Sequence, residues 1–202
     1  MNDLSAVVLD CTLKRSPEES SSMLLAGQVL AALDSFGVTG ETVRVVDHDI
    51  RFGVSTDEGD GDEWPSVRRR VLDADIVVIS TPIWMGQPSV CKMVLERLDG
   101  ELGEADDDGH YPTTGKVAAV AVVGNEDGAH HVVAECLQAL NDVGFSLPAN
   151  ASTYWVGEAM QGTDYNDLDE SPDATSAATR TLAANATHLA RLLQGDGYPP
   201  AS

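Results

Sequence analysis

Short apolar runs and amphipathic segments alternate along the whole chain. Residues 6–9 form an apolar run without a helical period, which is typical of a buried parallel strand. Over residues 23–36 the apolar positions recur at helical spacing, and Gly37 then supplies a stop. The same succession recurs, with strands predicted at 42–46, 76–79, 116–123 and within 145–154, and helices predicted from 64, at about 88–98, at 129–143 and at about 172–193.

Five alternations of strand and helix predict one α/β domain over residues 1–202. The expected architecture is a parallel sheet with helices on both faces and right-handed crossovers. In such sheets ligands bind outside the carboxyl ends of the strands, near the point where strand order reverses. This rule draws attention to a first loop at residues 10–22, a second at 80–88 and a third at 124–131.

The charge balance narrows the choice of partners. The chain has 33 Asp and Glu residues against 12 Lys and Arg, which gives a formal net charge of -21. We therefore expect neither nucleic acid nor an anionic membrane to be a partner. The excess of Asp over Lys is typical of a salt-adapted surface, although an ordinary acidic protein would have the same sign of charge.

The cysteines and the apolar runs bear on location and metal binding. Cys11, Cys91 and Cys136 are far apart and form no CxxC pair, so no zinc or iron–sulfur site is predicted. The acidic start of the chain differs from a signal peptide, and no apolar run approaches the roughly 20 residues of a membrane span. A cytoplasmic protein is expected.

The first loop carries hydroxyl groups and two basic side chains immediately before a helix. A helix N-terminus offers free amide groups and a positive dipole end, which favour a phosphate. A hydroxyl-rich helix cap is the plainer interpretation, but three consecutive serines exceed what one cap needs. No GxGxxG or GxxxxGK[ST] motif is present. The residues concerned are Thr12, Lys14, Arg15, Ser16, Ser20, Ser21 and Ser22.

The second loop, TPIWMGQP at residues 81–88, combines an aromatic side chain with a thioether. Trp84 and Met85 could lie against a flat apolar ring, and Gly86 would allow close approach of the backbone. A single tryptophan in a loop also commonly serves packing alone.

The third loop, GNEDGAHH at residues 124–131, combines two glycines with exposed amide groups. Its N–H groups could hydrogen-bond the polar edge of a flavin and stabilise negative charge there. A glycine-bounded turn between strand and helix is an equal alternative. His130 and His131 are adjacent and lack a companion ligand at typical spacing, so they do not predict a metal site.

Together, these three loops in this order resemble the flavodoxin-like NADPH-dependent FMN reductase family, from about Val7 to Leu193. STPIWMG resembles that family's T-P-x-[YW]-x-G pattern, and VGNEDGAHH resembles its third flavin loop. A late segment, residues 153–172, is similar to a stretch found in proteins described as flavodoxin family members. In the first loop, Cys11 stands where the family usually has glycine.

The resemblance implies a doubly wound, flavodoxin-like sandwich with strand order 2-1-3-4-5 and bound FMN. The implied FMN phosphate ligands are Thr12, Lys14, Ser20, Ser21 and Ser22. The residues implied to border the ribityl chain and ring are Pro82, Ile83, Trp84, Met85 and Gly86. The residues implied to meet the pyrimidine side are Gly124, Asn125, Glu126, Asp127 and Gly128.

The function that the resemblance implies is electron transfer from NAD(P)H through FMN to a quinone, free flavin or similar small acceptor. The chemistry belongs to the cofactor, so no catalytic side chain is singled out. We expect a homodimer or homotetramer, and the late segment could build part of a substrate pocket or a subunit contact.

The nearest alternative is a flavodoxin-type electron carrier without small-molecule turnover. Two cofactor-free alternatives fit less well. A phosphoacceptor receiver domain needs an aspartate where Ser80 and Thr81 stand, and a cysteine hydrolase of the isochorismatase type needs a cysteine nearer a helix start than Cys136.

Overall fold

The structure, a computed structural model, describes residues 3–159 and 161–200 and contains one five-stranded parallel sheet. Its strand order is β2-β1-β3-β4-β5, which confirms the predicted flavodoxin-like topology. The strands are β1 (Leu4–Asp10), β2 (Val38–Arg44), β3 (Ile76–Pro82), β4 (Val117–Gly124) and β5 (Ser152–Val156). The helices are α1 (Ser21–Asp34), α2 (Trp64–Asp73), α3 (Ser89–Asp99), α4 (Ala129–Asp142) and α5 (Asp173–Gly195).

The sheet is covered on both faces because side chains alternate along each strand. Val7 and Leu9 of β1 belong to the core cluster that also holds buried residues of α2, α3 and α4. Ala6 and Val8 belong to the opposite cluster, with buried residues of α1 and α5. Both sides of β1 are therefore buried, which explains its continuous apolar run.

Two strands differ from the prediction at their ends. The sequence predicts β2 at 42–46, but the strand runs from Val38 to Arg44 because its backbone pairs in register with all of β1. The sequence predicts a loop from Ser80, yet β3 continues to Pro82. Ser80 pairs with both neighbouring strands, and Thr81 and Pro82 pair with β4, so backbone pairing extends the strand beyond its apolar run.

The last strand occupies only part of its predicted range. Residues 145–154 include one isolated bridge, between Ser146 and Val117, before the strand proper begins at Ser152. Asn150 interrupts the pairing with a left-handed backbone, at φ +56°. Strand β5 then extends to Val156, beside the late segment.

Arg97 lies inside the protein and anchors the segment between β2 and α2. Its Nη1 lies 2.8 Å from Asp62 Oδ2, and its guanidinium donates hydrogen bonds to the carbonyl oxygens of Arg51 and Ser55. Its guanidinium carbon also lies 5.5 Å from the ring centroid of Trp64, within cation–π distance. One buried side chain of α3 therefore holds the segment between β2 and α2 in place.

Within the described ranges, none of the helices combines the length and the apolar character that a membrane span requires.

Candidate functional site

A cleft of about 490 Å³ lies at the carboxyl ends of β1, β3, β4 and β5. Its volume is in the range of about 300 to 1,000 Å³ that is typical of small-molecule sites. Strand β1 lies between β2 and β3 in the sheet. The chain therefore adds β2 on one side of β1 and β3 on the other, and the strand order reverses beside the cleft. The cleft is thus where the topology places a ligand.

The structure brings the three predicted loops together around this cleft. The predicted site residues that line it are Thr12, Lys14, Ser20, Ser21, Ser22, Pro82, Ile83, Trp84, Gly124, Asn125 and Glu126. Four others do not line it: Met85, Gly86, Asp127 and Gly128.

The four exceptions belong to turns at the rim. Met85 and Gly86 both have a left-handed backbone, at φ +55° and φ +112°, and the Met85 side chain is fully exposed. Gly128 precedes α4 at φ +108°, and Asp127 beside it is exposed. The turns that shape the second and third loops thus leave these side chains outside the cleft.

One end of the cleft is suited to a phosphate. Ser20 precedes α1, yet no side chain caps this helix and no acidic residue lies in its first turn. The first backbone bond of the helix runs from Leu24 N–H to the Ser20 carbonyl. Among the described residues, the N–H groups of Ser21 and Ser22 therefore have no partner. Together with the positive end of the helix dipole, they would attract an anion such as a phosphate.

Two contacts from the β2 side hold the first loop in place. Arg44 Nη1 donates a hydrogen bond of 2.8 Å to the Glu18 carbonyl. Ser16 donates both its N–H and its hydroxyl to the carboxylate of Asp47, at 2.9 Å and 2.5 Å. These hydrogen bonds lower the pKa of Asp47. The side chain of Arg44 thus stabilises the conformation of the first loop.

The second and third loops meet through a glycine. A Cβ atom at Gly124 would lie 2.9 Å from Ile83 Cδ1, too close for any other residue without a shift of Ile83. Ile83 is buried, whereas Trp84 beside it is 62% exposed. The close approach places an apolar wall beside the polar atoms of Asn125 and Glu126.

The late segment supplies lining residues that no sequence motif identifies. Trp155 and Tyr165 line the cleft with ring centroids 5.3 Å apart. Gln161 and Asp164 line it as well, together with Leu13 and Val123. The aromatic content of TYWVGEAMQGTDY was the available signal, but the sequence alone left it open whether this segment faces a ligand or a subunit. Met160 lies outside the described residues.

Asn125 fastens the late segment to the third loop. Its side-chain nitrogen donates to the carbonyl oxygens of Gln161 and Thr163, at 3.2 Å and 3.5 Å, and to Asp164 Oδ1 at 3.0 Å. The side-chain amide of Asn125 thus links the third loop to the late segment along this side of the cleft.

The two histidines of the third loop have local partners. The Nε2 atom of His130 lies 2.9 Å from the Tyr154 hydroxyl, and His131 Nε2 lies 3.4 Å from Glu135 Oε1. Neither histidine lines the cleft.

Known proteins are similar to this chain over most of its length. Residues 8–161 match the family model described as NADPH-dependent FMN reductase. The chain is 36% identical to the 8-demethyl-8-aminoriboflavin-5'-phosphate synthase of Streptomyces davaonensis, over 96% of this chain and 80% of that protein. A crystal structure of RosB with the bound intermediate 8-demethyl-8-formylriboflavin-5'-phosphate superimposes with a TM-score of 0.87, at 37% identity, over 96% of this chain and 82% of that one.

A second relative is much longer than this chain. The chain is 38% identical, over 95% of its length, to a protein of Mycobacterium bovis named divalent metal cation transporter MntH. It spans only 29% of that protein, so the likeness concerns one portion of the transporter.

Proposed function

The chain belongs to the NADPH-dependent FMN reductase family, and from this premise we propose that it carries electrons from NAD(P)H through bound FMN to a quinone, a free flavin or a similar small acceptor. The family and the flavin-related relatives make it a flavin-binding oxidoreductase. The electron donor, the acceptor and the residues that bind FMN are the proposed part.

One observation carries the proposal: the cleft has an uncapped helix N-terminus at one end and apolar and aromatic walls at the other. This combination fits a flat ring that bears a single phosphate. Ser20, Ser21 and Ser22 would hold the phosphate, and Ile83 and Trp84 would border the ring.

The opposite side of the cleft would hold the polar edge of the ring. Gly124 and Asn125 line the cleft at the end of β4, where backbone amide groups accompany the Asn125 side chain. Trp155 and Tyr165 add aromatic surface that would keep water from the ring. Met85, Gly86, Asp127 and Gly128 would shape the loops around FMN rather than touch it.

Bound FMN would supply the hydride and electron chemistry, and the protein would bind, orient and shield it. Lys14 lines the phosphate end, where its positive charge favours an anion. Glu126 and Asp164 line the other side, where their carboxylates would disfavour a phosphate. This separation would orient a singly phosphorylated flavin in one direction.

The direct test is to purify the protein at about 1 M salt, record its visible spectrum and titrate the apoprotein with FMN. We expect flavin absorbance, FMN in the extract, and steady oxidation of NAD(P)H when a soluble quinone is added. A folded protein that takes up no flavin would contradict the proposal. Turnover only in the presence of an added reductase protein would favour the electron-carrier alternative.

A second candidate function is favoured by two flavin-related matches that are 36% and 37% identical to this chain. One is named for making an aminoflavin phosphate, and the other holds a formylflavin phosphate intermediate. The same cleft could therefore hold FMN as a substrate whose ring is altered, rather than as a resident cofactor.

Mass spectrometry separates the two functions. The protein is incubated in air with excess FMN and, in parallel, with ammonium or amino acids as a nitrogen source. Flavin of unchanged mass together with NAD(P)H turnover supports the reductase. Flavin of altered mass, formed in proportion to enzyme, supports the flavin-modifying reaction.

We further propose a cytoplasmic location, a homodimer or homotetramer, and no nucleic-acid or membrane partner. These proposals rest on the acidic composition and on the family resemblance. Light scattering of the purified protein tests the oligomeric state.

A further inference from the structure

A buried carboxyl group lies directly behind the phosphate end of the cleft. Asp10 is the last residue of β1, and none of its surface is exposed. Ser22 Oγ lies 2.6 Å from Asp10 Oδ1, and Ser20 Oγ lies 3.0 Å from Ser22 Oγ. Both serines line the cleft, so a chain of three oxygen-bearing side chains leads from the protein interior to the ligand.

The second carboxyl oxygen of this residue has no hydrogen bond. Asp10 Oδ2 is buried without a partner among the described residues, and Arg44 Nε, 3.7 Å away, is likewise unpaired. The other groups that face Asp10 are Ser22, the backbone N–H of Thr12 and, at longer range, the carboxylate of Asp47. Arg44 therefore offsets part of the negative charge without completing the hydrogen bonding of Asp10.

The number of protons shared by Asp10, Ser22 and Ser20 determines whether Ser20 can donate to a phosphate. When Asp10 is ionised, Ser22 must donate to it, and the Ser20 proton must serve either Ser22 or the ligand. If Ser20 turns to the ligand, two hydroxyl oxygens face each other at 3.0 Å without a proton between them. When Asp10 carries a proton, it donates to Ser22, Ser22 donates to Ser20, and Ser20 donates to the ligand.

We propose that Asp10 is a positioning residue that takes up a proton when the phosphate of FMN binds at the N-terminus of α1. The protonated carboxyl orients the hydroxyl groups of Ser22 and Ser20 as donors toward the phosphate. This inference rests on the proposed FMN site and adds to it a residue that does not touch the ligand.

The surroundings of Asp10 also favour its protonated form. Burial raises the pKa of Asp10 above its ordinary value, and the lowering effects of the Ser22 hydrogen bond and of Arg44 do not cancel it. A phosphate dianion beside Ser20 would disfavour the ionised carboxylate further. Proton uptake and binding are then linked, and the affinity for FMN falls as pH rises through the titration of Asp10.

The test compares wild type with Asp10→Asn. Asparagine keeps the shape and always donates through its amide, so it mimics protonated Asp10. FMN dissociation constants are measured by quenching of flavin fluorescence over about pH 4 to 9, a span that covers the possible titration of a buried carboxyl. Riboflavin, which lacks the phosphate, is the matched ligand, and Asp75→Asn at the opposite end of the sheet is the matched variant.

We expect the affinity of wild type for FMN to fall by up to about tenfold per pH unit above the titration of Asp10. Asp10→Asn should bind FMN tightly with only the shallow dependence caused by the phosphate itself. Asp75→Asn should behave as wild type, and riboflavin binding should not distinguish the variants. Parallel pH curves for wild type and Asp10→Asn would overturn the inference while leaving FMN binding intact.

Calorimetry decides the matter even if Asp10→Asn does not fold. Wild type is titrated with FMN and with riboflavin at several pH values between about 4 and 9, in two buffers of different ionisation enthalpy. The protonation of the phosphate itself, whose second pKa is about 6, is subtracted. Uptake of protons with FMN and not with riboflavin supports the inference. No uptake with FMN overturns it, and absence of any flavin binding overturns the proposed function together with it.

Discussion

The side-chain nitrogen of Asn125 lies 3.0 Å from Asp164 Oδ1, which joins the end of β4 to the late segment across one side of the cleft. The same nitrogen also donates to two backbone carbonyls of that segment. The segment that leads to Tyr165, beside the cleft, is therefore held by a side chain from a different loop.

Replacing Asn125 with alanine should loosen the late segment and weaken FMN binding. The amide has two protons, and each hydrogen bond contributes about 0.5 to 1.5 kcal/mol, so the loss of about 1 kcal/mol or more should raise the dissociation constant at least about 5-fold. Fluorescence titration measures the change. Asn185→Ala is the control: it removes a single hydrogen bond from α5 to the Ala149 carbonyl and should leave the affinity unchanged.

Replacing Trp84 with alanine should remove apolar surface from the proposed ring site. Trp84 lines the cleft although 62% of it is exposed, so we expect FMN affinity to fall by about 5- to 30-fold. Phe52, an exposed aromatic residue away from the cleft, gives the control variant Phe52→Ala. Equal affinities for both variants and wild type would place the flavin elsewhere.

Replacing Arg97 with methionine should destabilise the protein by about 3 to 5 kcal/mol, because Asp62 would remain buried without its ion-pair partner. The segment between β2 and α2 should also become sensitive to limited proteolysis. Urea unfolding measures the loss of stability. Arg180→Met, on the exposed face of α5, should change stability by less than about 0.5 kcal/mol.

Asp62 should make the protein sensitive to acid. Burial raises its pKa, but hydrogen bonds from the backbone of Glu58, Arg51 and Trp64 and from Arg97 outweigh burial and lower the pKa to about 2. Its contribution, about 2 kcal/mol, is complete above the ordinary value of 3.8 and is lost as pH falls through about 2.

Urea unfolding of wild type and of Asp62→Asn between about pH 5 and pH 2 measures this contribution. The variant should be less stable at the upper end and lose less stability on acidification. A wild-type slope that the substitution does not reduce would assign the acid sensitivity to other carboxylates.

The excess of acidic residues should make stability rise with salt. At a net charge of -21 the carboxylates on the surface repel one another. Salt weakens this repulsion, because the Debye length falls from about 10 Å at 0.1 M to about 3 Å at 1 M. We expect Tm to rise steadily with NaCl. Sucrose is the control: it does not screen charge, so any rise in Tm that it causes comes from its exclusion from the protein surface. A Tm that is independent of NaCl would contradict a salt-adapted surface.

The sequence by itself determined the fold class and the loops that form the cleft. Buried parallel strands are apolar on both faces, so runs such as Val7 to Leu9 identify them locally, and the alternation of strand and helix leaves few topologies. The carboxyl ends of those strands then meet at one edge, which is why residues as distant as Ser20, Ile83 and Gly124 could be assigned to one site.

Only the tertiary structure decided which side chains reach the cleft and which lie behind it. Met85 and Gly128 belong to the correct loops, but their left-handed backbones leave them at the rim. Trp155 reaches the cleft because β5 pairs with β4, and the segment before Tyr165 is held by hydrogen bonds from Asn125. Both are contacts between distant segments that no local pattern encodes. The environment of Asp10 likewise depends on Ser22 and Arg44, because burial and pairing are properties of packed neighbours rather than of a residue's own sequence.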